Sequence, residues 1–397
     1  MGAEGAGRVF NFLLSLAGAR FLGPAGWGLY WSAFSVSQIL ASLTDLGNAL
    51  TLAREVAHDR RRAPVFLGSS LFLRLALVLG VLLLWVPLRG SFGLPTALFA
   101  AMLAALLCLS FVEWLGYYLR GFGLVVDESI LLAFDCVLAF ACGLSALTMG
   151  AGPAGLALSQ VAAHSLALLV AIFWARRRVP LSPSPVNPAA LSRFAVHSLP
   201  TGLAILASAA SWRLGVIALH RYGAGGEVDV GLFSAAHRII ESMRFLPFAV
   251  AAAAYPSFAG RIPSVGLWRV MRITIPTGIT MGVLLWFPPV TGLLMRLLMG
   301  PAYVGAAPVL SILGVALVFI SANSVLSHWL IARRQERGNA VISVLYLAAN
   351  AAALYVLVPT MGMLGAAWGL VIAEGVYSVA GLGLSGLGKA STTRKGS

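Results

Sequence analysis

The chain has 397 residues, 59% of them hydrophobic and only 10% charged, with a mean hydropathy of +0.91. Soluble globular proteins carry about 25% charged residues, so the composition excludes that class and indicates an integral membrane protein. The formal net charge of +14 is not a nucleic-acid signal. Of the 27 basic residues 25 are arginine, and most sit in short connections between apolar runs, where positive charge orients helices across a bilayer.

Twelve apolar segments follow in order: 8–22, 28–52, 64–88, 95–119, 128–149, 153–175, 194–220, 229–258, 266–290, 304–332, 338–358 and 363–385. All but the first are near the ~20 residues a membrane span needs, and the helix of the first is expected to begin further upstream. That first run leads straight into multispan sequence, so no cleavable signal is read. Cys108, Cys136 and Cys142 lie within apolar runs and are expected to be small core residues.

With a cytoplasmic N-terminus, the inner segments hold Arg8, Arg54, Arg60–Arg62, Arg120, Arg176–Arg178, Arg193, Arg261, Arg269, Arg272, Arg333, Arg334, Arg337, Lys389, Arg394 and Lys395. The outer segments hold only Arg20, Arg89, Arg221 and Arg296. Nineteen against four places both termini in the cytoplasm and the chain in the cytoplasmic membrane.

The longest connection, Leu181–Arg193, carries prolines at 183, 185 and 188 and reads as an extended cytoplasmic linker (181–193) between an N-terminal bundle (1–180) and a C-terminal one (194–397). Gly28-Leu29-Tyr30 opens the second segment as Gly231-Leu232-Phe233 opens the eighth. Thr148-Met149-Gly150 and Thr360-Met361-Gly362 likewise precede the sixth and the twelfth. Both pairs are six segments apart, an even number, so the expected fold is an all-α membrane protein of about twelve transmembrane helices in two six-helix bundles related by a parallel repeat.

The eighth segment is apolar enough to cross a bilayer, yet carries His237, Arg238, Glu241 and Arg244. On a helix these fall, with Ser234, within an arc of roughly 120°. Three charges near a helix centre cost about 8–10 kcal/mol against lipid, so the stripe must face protein or water. It is either a ligand site or a locked network in which Glu241 partly neutralises Arg238 or Arg244. His237 is a candidate protonation switch or a core histidine.

Further charges lie inside other segments. Arg74 is suited to a phosphate, or to pairing with an acid such as Asp45. Arg213, beside Trp212, fits a functional role or an interfacial anchor. Asp45, Asp135 and Glu374 are candidate coupling carboxylates, each equally able to hold an arginine or cap a broken helix. Glu113 is expected to be interfacial. His164 and His328 complete the set. No zinc spacing, phosphate loop or nucleophile elbow is present, so neither enzymatic activity nor a cofactor or metal is expected.

Several stretches resemble the polysaccharide (O-antigen) flippase family of the multidrug/oligosaccharidyl-lipid/polysaccharide exporter superfamily. They are Ala19-Arg20-Phe21-Leu22-Gly23-Pro24 with Gly28-Leu29-Tyr30, Leu52-Ala53-Arg54-Glu55, Val230–Ala236, Gly300-Pro301-Ala302-Tyr303, and Pro359-Thr360-Met361-Gly362 with Glu374. They cover both halves in family order. The chain departs from the family in having twelve segments where many relatives have fourteen, and in Trp212-Arg213 where relatives often carry an acid.

The resemblance implies a transporter that flips an undecaprenyl-diphosphate-linked oligosaccharide to the outer leaflet by alternating access. Arg74, Arg238 and Arg244 would then contact diphosphate or acidic sugar, and an ion gradient would supply the energy. Membrane lipids and the polysaccharide polymerase machinery are the partners implied, and nucleic acid is not. Two other readings remain: a cation-coupled drug antiporter relying on Asp45 and Glu374, and a non-transporting scaffold for glycan-assembly enzymes.

Overall fold

The structure, a computed structural model, describes residues 2–185, 188–258, 263–333 and 335–384. Of the basic residues counted for orientation, Arg261, Arg334, Lys389, Arg394 and Lys395 lie outside the described residues, as do the side chains of Arg8 and Arg193. Every regular element among the described residues is helical. The chain forms two compact units, Met1–Ala209 and Ala210–Ser397.

The first unit contains α1 (Gly2–Leu43), α2 (Asn48–His58), α3 (Ala63–Leu88), α4 (Thr96–Gly121), α5 (Val125–Thr148), α6 (Gly152–Arg178) and the first part of α7 (Pro188–Tyr222). The second takes the rest of α7, then α8 (Gly226–Met243), α9 (Phe245–Ala253), α10 (Tyr255–Phe258), α11 (Pro263–Trp286), α12 (Pro288–Leu294), α13 (Ala307–Ala332) and α14 (Glu336–Leu384).

Eight helices among the described residues are long and apolar enough to cross a bilayer, and a ninth crossing comes from 266–286 with 288–299, bent by 88°. Two of the eight are double. Val9–His58 and Glu336–Leu384 have 50 and 49 residues, about 75 Å of helix at 1.5 Å per residue, more than twice the ~30 Å hydrocarbon core. Each divides at a left-handed glycine, Gly23 (φ 68°) or Gly362 (φ 53°). Counting each double helix as two and the broken helix α8–α10 as one, the described residues give twelve crossings, six in each half.

The repeat is visible in the backbone. Gly23 and Gly226 each lie five residues before the Gly-Leu-aromatic motif, and both adopt positive φ (68° and 59°). Gly150 and Gly362 of the second motif pair do the same (73° and 53°). The helix at the centre of each unit also corresponds. The fourth crossing, α4, packs on α1, α2, α5 and α6, and the tenth, α13, packs on α8, α9, α11 and α14. Trp114, Leu115, Tyr118 and Leu119 of α4 are buried in the first core, whereas Phe72, Leu75, Leu79 and Leu83 of α3 are exposed, as a lipid-facing helix requires.

Two segments expected to be continuous are broken. Residues 28–52 are interrupted at 44–47, where Leu46 (φ 40°) and Gly47 (φ 78°) are left-handed. A side chain at Gly47 would strike the Ser198 carbonyl and Gly202 of α7. Residues 229–258 break at Arg244 and again at Ala254. The first break has a plain cause: Pro247 has no N–H to donate to the carbonyl of Met243.

Candidate functional site

The charged stripe lies in the second unit. Arg238 Nη1 donates to Glu241 Oε2 at 2.7 Å, one helical turn along α8. The other carboxylate oxygen accepts from Arg213 Nη2 of α7 at 3.0 Å. Glu241 therefore bridges two arginines. Arg244 is not its partner: it sits at the end of α8, with its guanidinium over the Trp212 ring at 4.1 Å. Within this cluster three guanidinium groups face one carboxylate, an excess of cation at membrane depth.

Arg213 is 4% exposed and Trp212 7%, which corrects the interfacial-anchor reading of that pair. Trp212 instead joins two parts of the site, because its other neighbour is His237 at a ring distance of 4.5 Å. Phe233 stacks on the same imidazole at 5.6 Å, so His237 is held between aromatic rings. Ser211, Trp212, Phe233, His237 and Asn350 line a cavity of about 10 Å³, room for about one water. Asn350 closes it by donating to the Ser211 carbonyl (2.7 Å) and hydroxyl (2.9 Å).

Glu374, on the second half of α14, is not a lone acid. It accepts from Asn323 Nδ2 of α13 at 2.7 Å and from the Tyr346 hydroxyl at 3.0 Å. Ser378 donates in turn to Asn323 Oδ1 at 2.7 Å. Tyr346 and Glu374 both feel the charge of Arg244, so this network adjoins the arginine cluster.

In the first unit, Arg74 is 1% exposed and pairs with Asp45 at 3.0 Å. It also donates to the Ser110 carbonyl at 2.6 Å and lies over the rings of Phe111 (4.9 Å) and Trp114 (5.9 Å). Asp45 does two jobs with one oxygen, since Oδ1 also accepts from the Ala49 amide at 3.1 Å and so caps α2 beyond the break. Beneath the pair, Trp114 donates to Ser70 (2.8 Å), and Ser70 donates to Asn48.

Asp135 of α5 bonds His164 of α6 at 2.7 Å, and both are buried. Glu113 is exposed, but interacts through space with Asp45, Arg74, Asp135 and His164. It lies within electrostatic reach of this group, eight residues before the end of α4. This group thus sets three carboxylates against one arginine and one histidine.

A family model described as polysaccharide biosynthesis protein matches residues 1–260. The chain belongs to this family. No curated protein matches it. Among solved structures, the chain resembles a multidrug resistance MATE family transporter of the MOP superfamily in its inward-facing conformation, with TM-score 0.72 and 19% identity over 98% of this chain and 96% of that one. It also resembles the lipid II flippase MurJ in an inward closed conformation, with TM-score 0.77 and 13% identity over 96% and 86%. A third is a MOP superfamily transporter from Pyrococcus furiosus, with TM-score 0.70 and 21% identity over 99% and 94%. This family member is a multi-pass membrane protein with the fold of those transporters.

Sequence reasoning missed the partners more than the charges. Tyr346, Asn323 and Ser110 were not singled out, and the Asp135–His164 pair spans 29 residues. Arg213 and Glu241 are 28 apart, on consecutive crossings, and an acid one crossing away from an arginine was the available signal.

Proposed function

We propose that the protein flips a polyprenyl-diphosphate-linked oligosaccharide across the cytoplasmic membrane by alternating access, as a non-enzymatic step of surface polysaccharide assembly. Both termini are cytoplasmic in this reading, and Arg238 and Arg244 of the second unit meet the diphosphate or an acidic sugar. The observation that carries it is the cation excess of that cluster. One carboxylate serves two of its three arginines, and the Arg244 guanidinium rests on an aromatic face. An anion with several oxygens is the natural complement of such a group. Family membership supports the pathway, and the likeness to a lipid II flippase supports the class of cargo.

Deletion is expected to leave lipid-linked oligosaccharide on the inner leaflet and to remove surface glycan. Restoring the gene with Arg238→Ala or Arg244→Ala, at normal protein levels, is expected to give export roughly tenfold or more below wild type, the loss of one charged hydrogen bond. Full export by both variants sinks the assignment of those arginines. An unchanged glycan and no accumulated intermediate in the deletion strain sink the flippase reading itself.

The acid-rich group of the first unit favours a second reading, a cation-coupled antiporter. It predicts lower resistance to lipophilic cations in the deletion strain, and unchanged resistance disfavours it.

A further inference from the structure

The first unit contains a cavity of about 260 Å³ between α3, α4, α6 and the chain that follows α6. Leu67 and Leu71, Phe111, Leu168 and Ile172, and Pro183 supply walls from each of these four elements. The lining is apolar except for one charged side chain, Arg176, at the arginine-rich end of the unit. The walls are fixed. The Ser184 amide donates to the Pro64 carbonyl at 2.9 Å and the Tyr118 hydroxyl to the Pro180 carbonyl at 2.8 Å, tying the chain after α6 to α3 and α4.

Apolar walls do not hold water, and the apolar matter available at this depth is an acyl chain. The charge at the mouth selects the head group. Neighbouring arginines are engaged: Arg177 lies over Phe173 (4.2 Å), Arg178 pairs with Asp127 (3.2 Å), and Arg120 pairs with Glu128 (2.6 Å). Arg176 is exposed and has no ion pair among the described residues. Basic pockets between helices on the arginine-rich side of a membrane protein suit anionic head groups.

From this we infer that the arginine-rich end of the first unit binds one anionic membrane phospholipid, with an acyl chain in the cavity and its phosphate on Arg176. The inference is independent of what the protein transports, because the occupant is a resident lipid and not cargo.

The test uses the full chain purified in mild detergent from membranes containing phosphatidylglycerol and phosphatidylethanolamine, with retained lipid counted by native mass spectrometry. Wild type is expected to keep one phosphatidylglycerol. Arg176→Gln reduces its occupancy roughly fivefold, the worth of one basic residue near an anionic lipid. Arg177→Gln leaves it unchanged, and Ile172→Trp, which fills the cavity, abolishes it. Leu168→Phe is the milder filling variant should Ile172→Trp not fold, and it too is expected to lose lipid. Equal retention by the Arg176→Gln and Arg177→Gln proteins, or equal retention of phosphatidylethanolamine, overturns the assignment. So does displacement of the lipid from wild type by undecaprenyl phosphate, which would give the cavity to the transported chain.

Discussion

The two units share a repeat but differ in the sign of their buried charge. In the first, the buried Arg74 pairs with Asp45 beside the buried Asp135–His164 pair, and the exposed Glu113 lies within electrostatic reach. In the second, Glu241 bridges Arg213 and Arg238, Arg244 lies over Trp212, and Glu374 is bonded separately. The repeat register puts Ser35 where Arg238 stands and Gln38 where Glu241 stands, each the same distance from its Gly-Leu-aromatic motif. The devices common to both units are backbone ones: left-handed glycines, a broken helix after the motif, a central fourth helix. Those fix the scaffold. The charges differ at equivalent sites, so they were not needed to build it, and that is why the second unit is assigned the anionic cargo.

The contrast is most exposed at the two bridging acids. Glu241→Gln removes the charge that Arg213 and Arg238 share and keeps an acceptor oxygen for only one of them, and a broken buried pair costs about 3–5 kcal/mol. Asp45→Asn is expected to cost only about 1–2 kcal/mol, the net worth of a charged hydrogen bond less what survives. Arg74 retains the Ser110 carbonyl and two ring faces, and an asparagine oxygen still caps Ala49. Thermal unfolding of the purified variants ranks them. If the Asp45→Asn protein melts below the Glu241→Gln protein, the comparison is reversed.

A second pairing separates the coupling candidates. Asp135→Ala strips His164 of its partner in a buried site, a loss of about 1.5–3 kcal/mol. Glu374→Gln is expected to cost about 1 kcal/mol, because the amide oxygen can keep the Asn323 donor while the amide NH2 turns to donate to the Tyr346 hydroxyl oxygen. If Glu374→Gln is the more damaging to stability, its negative charge is balanced by Arg244 more strongly than the hydrogen bonds imply.

Much of this was legible in the chain. Twelve apolar runs, the parallel repeat and the stripe on 230–256 follow from period, spacing and the cost of charge in lipid. Arg74 was visible as a residue that had to find Asp45 or a phosphate, and it found Asp45. The breaks were less legible. Pro247 was an available signal for the one at Arg244 that the continuous reading of 229–258 passed over, and Leu46 adopts a positive φ that nothing in its own side chain favours. Its conformation is set by the packing of α7 against Gly47, a contact between residues about 150 apart. Arg213 stayed open between two readings because a tryptophan beside an arginine looks the same from sequence at a bilayer interface as against a buried histidine.

Backbone substitutions test the scaffold claim itself. Gly23 and Gly226 have open space where a Cβ would stand, so alanine there meets no neighbour and the penalty is purely conformational. At φ 68° and 59° that penalty is about 1–3 kcal/mol for an L-residue. Gly90, also with open space but without positive φ, supplies the control and is expected to accept alanine without loss. If the two glycines are equivalent parts of one repeat, Gly23→Ala and Gly226→Ala should lower the melting temperature by similar amounts while Gly90→Ala leaves it unchanged. A neutral Gly226→Ala would mean that the second turn tolerates an ordinary side chain. The left-handed glycine would then belong to the first unit alone, and the matching of backbone devices between the units would rest on the central helices and the helix breaks.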